Sequence, residues 1–105
     1  MTPEKIVQNA IVSYFTDLAN AGYPVYIERR QAGGYSYKMG IPDLYGICNG
    51  RHIEIECKAP GKELRPMQEK QKQKFEKVGA FYICADSLDD VKVAMLQEFN
   101  ISLKK

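Results

Sequence analysis

Apolar residues return at two different periods along this chain. Between Thr2 and Gly22, the positions Ile6, Val7, Ala10, Ile11, Tyr14, Phe15 and Leu18 recur every three or four residues, the stripe of an amphipathic helix. Thr2-Pro3-Glu4 supplies an N-cap, a first-turn proline and a dipole-favourable acid, and Gly22 marks the end. Pro24 to Arg30 alternates instead, with Val25 and Ile27 on one face and Tyr26 and Glu28 on the other, which predicts a strand closed by Arg29 and Arg30. Two further alternating runs, Asp43 to Cys48 and Arg51 to Lys58, flank Asn49-Gly50, the strongest short hairpin signal. Pro66 opens a second helix with Met67, Gln71, Phe75 and Val78 as its inward stripe, and Gly79 stops it. Ala80 to Ala85 is a continuous apolar run too short for a helix and reads as a buried central strand. Ser87-Leu88-Asp89-Asp90 has the form of a capping box, opening a last helix that packs through Leu88, Val91, Met95 and Phe99. The predicted order is α-β-β-β-α-β-α, ending in a frayed Lys104-Lys105.

The hairpin carries chemistry. A two-residue turn pairs Cys48 with Arg51, and counting outward pairs Leu44 with Ile55 and Asp43 with Glu56. Side chains directly opposite one another stand about 5 Å apart, so two carboxylates in that pair repel. A hard divalent cation between them removes the conflict, since Mg²⁺ is commonly held by one or two carboxylates plus waters. Lys58, two residues beyond Glu56, falls on the same face. Leu44, Ile53, Ile55 and Cys57 share the opposite, apolar face. Glu54 points to the polar side but lies farther from Lys58, and it reads as a solvent-facing acid; His52, near the turn, reads as a surface residue. With a single histidine and no Cys-x-x-Cys pair, no Zn²⁺ ligand set is present at suitable spacing.

Composition narrows the setting. The 105 residues allow one hydrophobic core, hence a single domain over 1–105. Hydrophobic content of 45% and charged content of 27% are those of an ordinary globular chain, and no apolar run is long enough to span a membrane. Cys48, Cys57 and Cys84 all fall in predicted strands and are expected to be buried reduced thiols in a cytoplasmic protein. A net charge of +2 is too small to identify a nucleic-acid partner by itself. Local features are more suggestive. Arg29 and Arg30 end the first strand, and the aperiodic stretch from Gln31 to Lys38, with Gly33-Gly34, Tyr35, Tyr37 and Lys38, predicts a loop at the mouth of the site. Arginines bind phosphate oxygens and tyrosines stack on unpaired bases, although a solvated connector fits the loop as well. Lys62, in the polar connection Ala59–Arg65, joins the expected nucleic-acid contacts.

Gly40-Ile41-Pro42-Asp43-Leu44, then Ile55-Glu56-Cys57-Lys58, then Pro66-Met67-Gln68, resemble the PD-(D/E)XK nucleases and specifically the VRR-NUC domain family. Glu4, early in the first helix, also fits the family pattern, and the resemblance runs from Glu4 to about Val91. Arg65 departs from it, standing where the family carries Ser or Thr and removing a hydroxyl N-cap. The resemblance implies an α/β fold, a restriction-endonuclease-like αβββαβ core with a mixed central sheet flanked by helices. It also implies a Mg²⁺-dependent deoxyribonuclease, with Mn²⁺ able to substitute, from a bacterium or its virus. Asp43, Glu56 and the backbone carbonyl of Cys57 would bind the metal, Lys58 would place the attacking water, Gln68 would orient water, and Glu4 would be an outer acid. Stand-alone members look like junction-resolving enzymes, which implies a homodimer and a preference for branched or four-way (Holliday) junction DNA. Two other classes compete: a catalytically silent DNA-binding or assembly module on the same fold, and a small-molecule-binding α/β domain. The intact acid pair with Lys58 speaks against the first, and the lack of a Gly-rich phosphate cradle against the second.

Overall fold

A computed structural model describes residues 1–30 and 40–103. Tyr35, Tyr37 and Lys38 of the expected loop, and Lys104-Lys105, lie outside the described residues. The elements are α1 (Pro3–Asn20), β1 (Val25–Arg29), β2 (Leu44–Cys48), β3 (Arg51–Cys57), α2 (Pro66–Lys77), β4 (Phe81–Ala85) and α3 (Leu88–Phe99), the order that the two periods predict. The Thr2 hydroxyl caps α1 by accepting from the Lys5 N–H, and Ser87 caps α3 by accepting from the Asp90 N–H.

The sheet runs β1-β2-β3-β4, with β1, β2 and β3 antiparallel in sequence and β4 parallel to β3. A parallel neighbour needs a crossover, and α2 provides it. On one face of the sheet α1 and α3 close the hydrophobic core: Ile11, Phe15 and Leu18 from α1 and Val91 and Met95 from α3 meet Leu44, Ile53, Ile55 and Cys57. Odd-numbered β3 residues fill this core, so the even-numbered ones turn to the other face, where α2 lies.

Three expectations change. The Ala80–Ala85 run forms an edge strand rather than a central one; its apolar character reflects helices on both faces, which bury Tyr82, Ile83 and Ala85. Cys84 is exposed, unlike Cys48 and Cys57: it lies on the edge strand and lines a cleft with Lys62 and Asp86. The expected inward stripe of α2 is also absent. Met67 and Val78 are exposed, Gln71 and Phe75 are only half-buried, and no α2 residue is fully buried. The sheet face beneath α2 is polar, so the helix docks through particular contacts, Phe75 stacked on His52 and Gln68 bonded to Glu56, instead of a continuous apolar seam.

Candidate active site

The hairpin register is the one counted from the turn: Cys48 pairs with Arg51 and Leu44 with Ile55. Asn49 and Gly50 both take positive φ (51° and 78°), the conformation of a type I′ turn, whose twist matches the strands it joins. One step outside Leu44–Ile55, Asp43 and Glu56 stand together at the end of the sheet. Asp43 Oδ2 accepts the Cys57 N–H at 2.9 Å, so the acid closes the ladder with its side chain. Its own carbonyl accepts from the Arg30 N–H at 2.8 Å. Glu56 Oε2 accepts from Gln68 Nε2 at 3.0 Å, and Lys58 Nζ lies 4.0 Å from the same oxygen.

The first turns of α1 and α2 converge on this end of the sheet. They form a cleft of about 520 Å³ lined by Glu4 from α1, by Gly40, Ile41, Asp43, Glu56 and Lys58, and by Arg65 to Gln68. Gly40 makes the junction possible. Its φ is +77°, and a Cβ there would stand 2.6 Å from the Met67 carbonyl oxygen, so only glycine lets the Ile41-Pro42-Asp43 segment press against the start of α2. Gln68, at the third helical position, makes the reciprocal half of a capping box: its Oε1 accepts from the Arg65 N–H at 2.8 Å while its Nε2 donates to Glu56.

The electrostatics are those of charge collected out of water. Burial, and then the neighbouring Asp43 carboxylate, push the Glu56 carboxyl up to about 8 despite the opposing pull of Lys58. Burial also raises Asp43, against the lowering effect of the Cys57 N–H, Lys58 and Lys5. Glu56 Oε1 is buried without a hydrogen-bond partner among the described residues. An orphaned carboxylate oxygen beside a second carboxylate is a hard-oxygen donor set, and it fits Mg²⁺ or Mn²⁺. Among the described residues no group of three or more His, Cys, Asp or Glu side chains is placed to hold a metal ion, so a cation at the acid pair would take most of its ligands from elsewhere.

No protein-family profile matches the chain. It is similar to a solved structure described as a VRR_NUC domain, with a TM-score of 0.72 over 94% of this chain and 99% of that one at 23% identity, a likeness of fold. It is also 38% identical over 69 residues to "Putative nuclease p44" of Acyrthosiphon pisum secondary endosymbiont phage 1, an alignment covering 59% of this chain and 74% of that protein. The chain belongs to the VRR-NUC family.

Within this VRR-NUC chain, Asp43, Glu56, Lys58, Gln68 and Glu4 all line one cleft, with Glu4 exposed on its rim. The expected nucleic-acid contacts divide. Arg29 is exposed in a neighbouring cleft that also touches Asp43. Arg30 lines that cleft too, but its guanidinium is engaged: it forms a bidentate pair with Glu54, donates to the Pro42 carbonyl at 3.0 Å, and lies over the rings of Tyr45 (4.6 Å) and Phe75 (5.8 Å). Lys62 lines a separate cleft with Glu69, Cys84, Asp86 and Asp90. Glu54 is not solvent-facing: it is fully buried under α2, bonded to Arg30 and His52. His52 is half-exposed, held by Glu54 and by Phe75. Gln8 went unnoticed in the residue pattern, yet it is buried beside the site. Its position, one turn after Glu4 and between Val7 and Ile11, is the signal that finds it, since a polar residue within an apolar stripe calls for buried partners.

Among the described residues no helix is long and apolar enough to cross a membrane.

Proposed function

We propose that this VRR-NUC chain is a Mg²⁺-dependent endodeoxyribonuclease, with Mn²⁺ able to substitute, that acts on branched DNA such as a four-way junction. The observation that carries the reading is the pair of half-buried Asp43 and buried Glu56, with Glu56 Oε1 unpartnered and Lys58 Nζ 4.0 Å from Oε2. Asp43, Glu56 and the backbone carbonyl of Cys57 would hold the cation. Bound there, it supplies Lewis-acid polarisation of the phosphate and a water acidic enough to attack near neutral pH. The chain's own residues prepare that site. The Cys57 N–H fixes Asp43, and Gln68 fixes Glu56 through Oε2, which keeps Oε1 available. Lys58 offsets negative charge developing on the phosphate oxygens and positions the attacking water. Glu4, on the rim, is the outer acid that orders water around the cation.

Cutting both strands of a junction calls for two such clefts. A domain with one cleft meets that need most simply as a two-fold homodimer. Incubation with labelled four-way junction and linear duplex in Mg²⁺, Mn²⁺ or EDTA tests the reading. The expected result is cleavage with either metal, favouring the junction, and none in EDTA. Cleavage undiminished by EDTA, or none with either metal, overturns the activity; a strict monomer in light scattering without junction preference overturns the assembly and selectivity.

A further inference from the structure

On the α1 side of Asp43 a second cleft opens, of about 720 Å³, lined by Thr2, Glu4, Lys5, Gln8, Arg29, Arg30 and Asp43. It shares Glu4 and Asp43 with the cleft described above, so the two are continuous. Gln8 is 7% exposed, and its Oε1 accepts from both Arg29 NH1 at 2.6 Å and Lys5 Nζ at 3.0 Å. Two cations from different elements, α1 and β1, are thus drawn to one neutral oxygen. Neither makes an ion pair with a carboxylate among the described residues, whereas Arg30, Arg51, Lys58 and Lys72 do. An amide oxygen orders two cations but does not neutralise them. Held this close, they repel, and an anion seated between them turns that repulsion into attraction. Arg30, the third basic residue of the cleft, differs because Glu54 already balances it. Lys5 and Arg29 are therefore the basic residues of this cleft that touch no carboxylate among the described residues, although Glu4 and Asp43 also line it.

We infer that Lys5 and Arg29, oriented by Gln8, form a binding subsite for one backbone phosphate of the nucleic acid, next to the phosphate that Asp43 and Glu56 face. The inference rests on the nuclease reading and adds the register in which a strand crosses the two clefts. Both cations converge on one oxygen, so they serve a single phosphate jointly. Their partners at that phosphate are its non-bridging oxygens, which makes the contact independent of base sequence. Arg29 offers a planar fork suited to two of those oxygens, and Lys5 a point charge.

Fluorescence anisotropy of a labelled duplex in EDTA, across a salt series, tests this without any metal or turnover. Lys5→Ala/Arg29→Ala is expected to weaken binding on the order of tenfold near physiological salt and to lower the slope of log K against log salt by about 0.9, one phosphate's worth, on unrelated duplex sequences. Arg29→Lys, in the presence of Lys5, is expected to keep most of the slope. Gln8→Leu should retain the slope while weakening binding several-fold, because the charges remain but lose their common anchor. Both Lys5 and Arg29 are exposed, so their variants are expected to melt with wild type. A double variant with wild-type affinity and slope overturns the subsite. If wild type cleaves DNA in Mg²⁺ at the same time, the nuclease reading survives that loss. Wild type that neither binds nor cleaves DNA overturns both.

Discussion

Glu54 and Glu56 occupy consecutive positions on the same face of β3, both buried, yet they are put to different uses. Glu54 has both oxygens partnered, by a bidentate Arg30 and by His52, with Phe75 and Tyr45 closing over the guanidinium. Glu56 has one oxygen held by Gln68 and the other left bare, and its nearest cation stands 4.0 Å away. The first is a finished ion pair, tying the sheet to the Pro42 carbonyl just before Asp43. The second is an unfinished one, kept so by the strand end and by the first turn of α2. Burial of an acid alone therefore does not mark a site; burial with an unmet demand for positive charge does.

Activity offers the largest contrast. Glu56→Ala or Lys58→Ala is expected to lower metal-dependent DNA cleavage by at least about a hundredfold, the scale of losing one transition-state contact. Neither side chain belongs to the hydrophobic cluster, so far-ultraviolet circular dichroism should remain that of wild type. Cleavage at wild-type rate by a homogeneous Lys58→Ala preparation would remove Lys58 from the chemistry.

Stability should rank the two glutamates the other way. Glu54→Ala leaves Arg30, itself only 22% exposed, without its counter-charge, and removing one partner of a buried pair typically costs about 3–5 kcal/mol. Arg30 keeps the Pro42 carbonyl and some access to water, so the lower end of that range applies. Glu56→Gln removes a strained charge and retains a hydrogen-bond acceptor for Gln68. It should equal or exceed wild type in urea unfolding with EDTA at pH 8. Equal unfolding midpoints for Glu54→Ala and wild type would show that the ion pair carries no net stability.

The two glutamates also separate what the residue pattern makes legible from what it does not. The hairpin follows from Asn49-Gly50 and local alternation, so its register, and with it the meeting of Asp43 and Glu56, can be counted. Glu54 could not be read in the same way. Its partner Arg30 lies 24 residues away, across two strands, and alternation tells which face a side chain takes but not whether a helix covers that face. The same gap explains α2, whose stripe of Met67, Gln71, Phe75 and Val78 assumes an apolar surface beneath it, and β4, whose place at the edge depends on strand order rather than composition. Gly40 was legible only as part of a motif; its role depends on the distant Met67 carbonyl.

Titration sharpens the comparison at intermediate scale. Glu56 has a folded-state value near 8 against 4.5 for the free group, so between those values the folded protein holds a proton that the unfolded chain releases. The stabilising contribution is complete below about pH 4.5 and is lost as pH rises toward 8, at up to about 1.4 kcal/mol per pH unit. Asp43, also raised, acts in the same direction. Metal-free wild type should therefore lose stability from pH 5 to pH 8, while Glu56→Gln should show a flatter profile. Parallel profiles for the two proteins would place the shifted proton elsewhere.

The smallest effect isolates the acid pair itself. Asp43 accepts the Cys57 N–H, and asparagine retains an oxygen for that bond while removing one of two adjacent charges. Asp43→Asn should consequently melt at or slightly above wild type in EDTA. Metal should reverse the order. At Mg²⁺ roughly tenfold above its dissociation constant, a single site stabilises the native state by about 1.4 kcal/mol, from RT ln(1 + [L]/Kd). For a chain of this length that is a rise of roughly 5–10 °C in Tm. Asp43→Asn, with one charge of the pair gone, should show little of that rise at the same Mg²⁺ concentration. Four melting curves, two proteins with and without metal, decide it. If Asp43→Asn melts well below wild type in EDTA, its carboxylate is a structural partner of the Cys57 N–H, as Glu54 is of Arg30, and the contrast between the two regions fails; a full metal-induced shift in the variant would instead put the cation somewhere other than between Asp43 and Glu56.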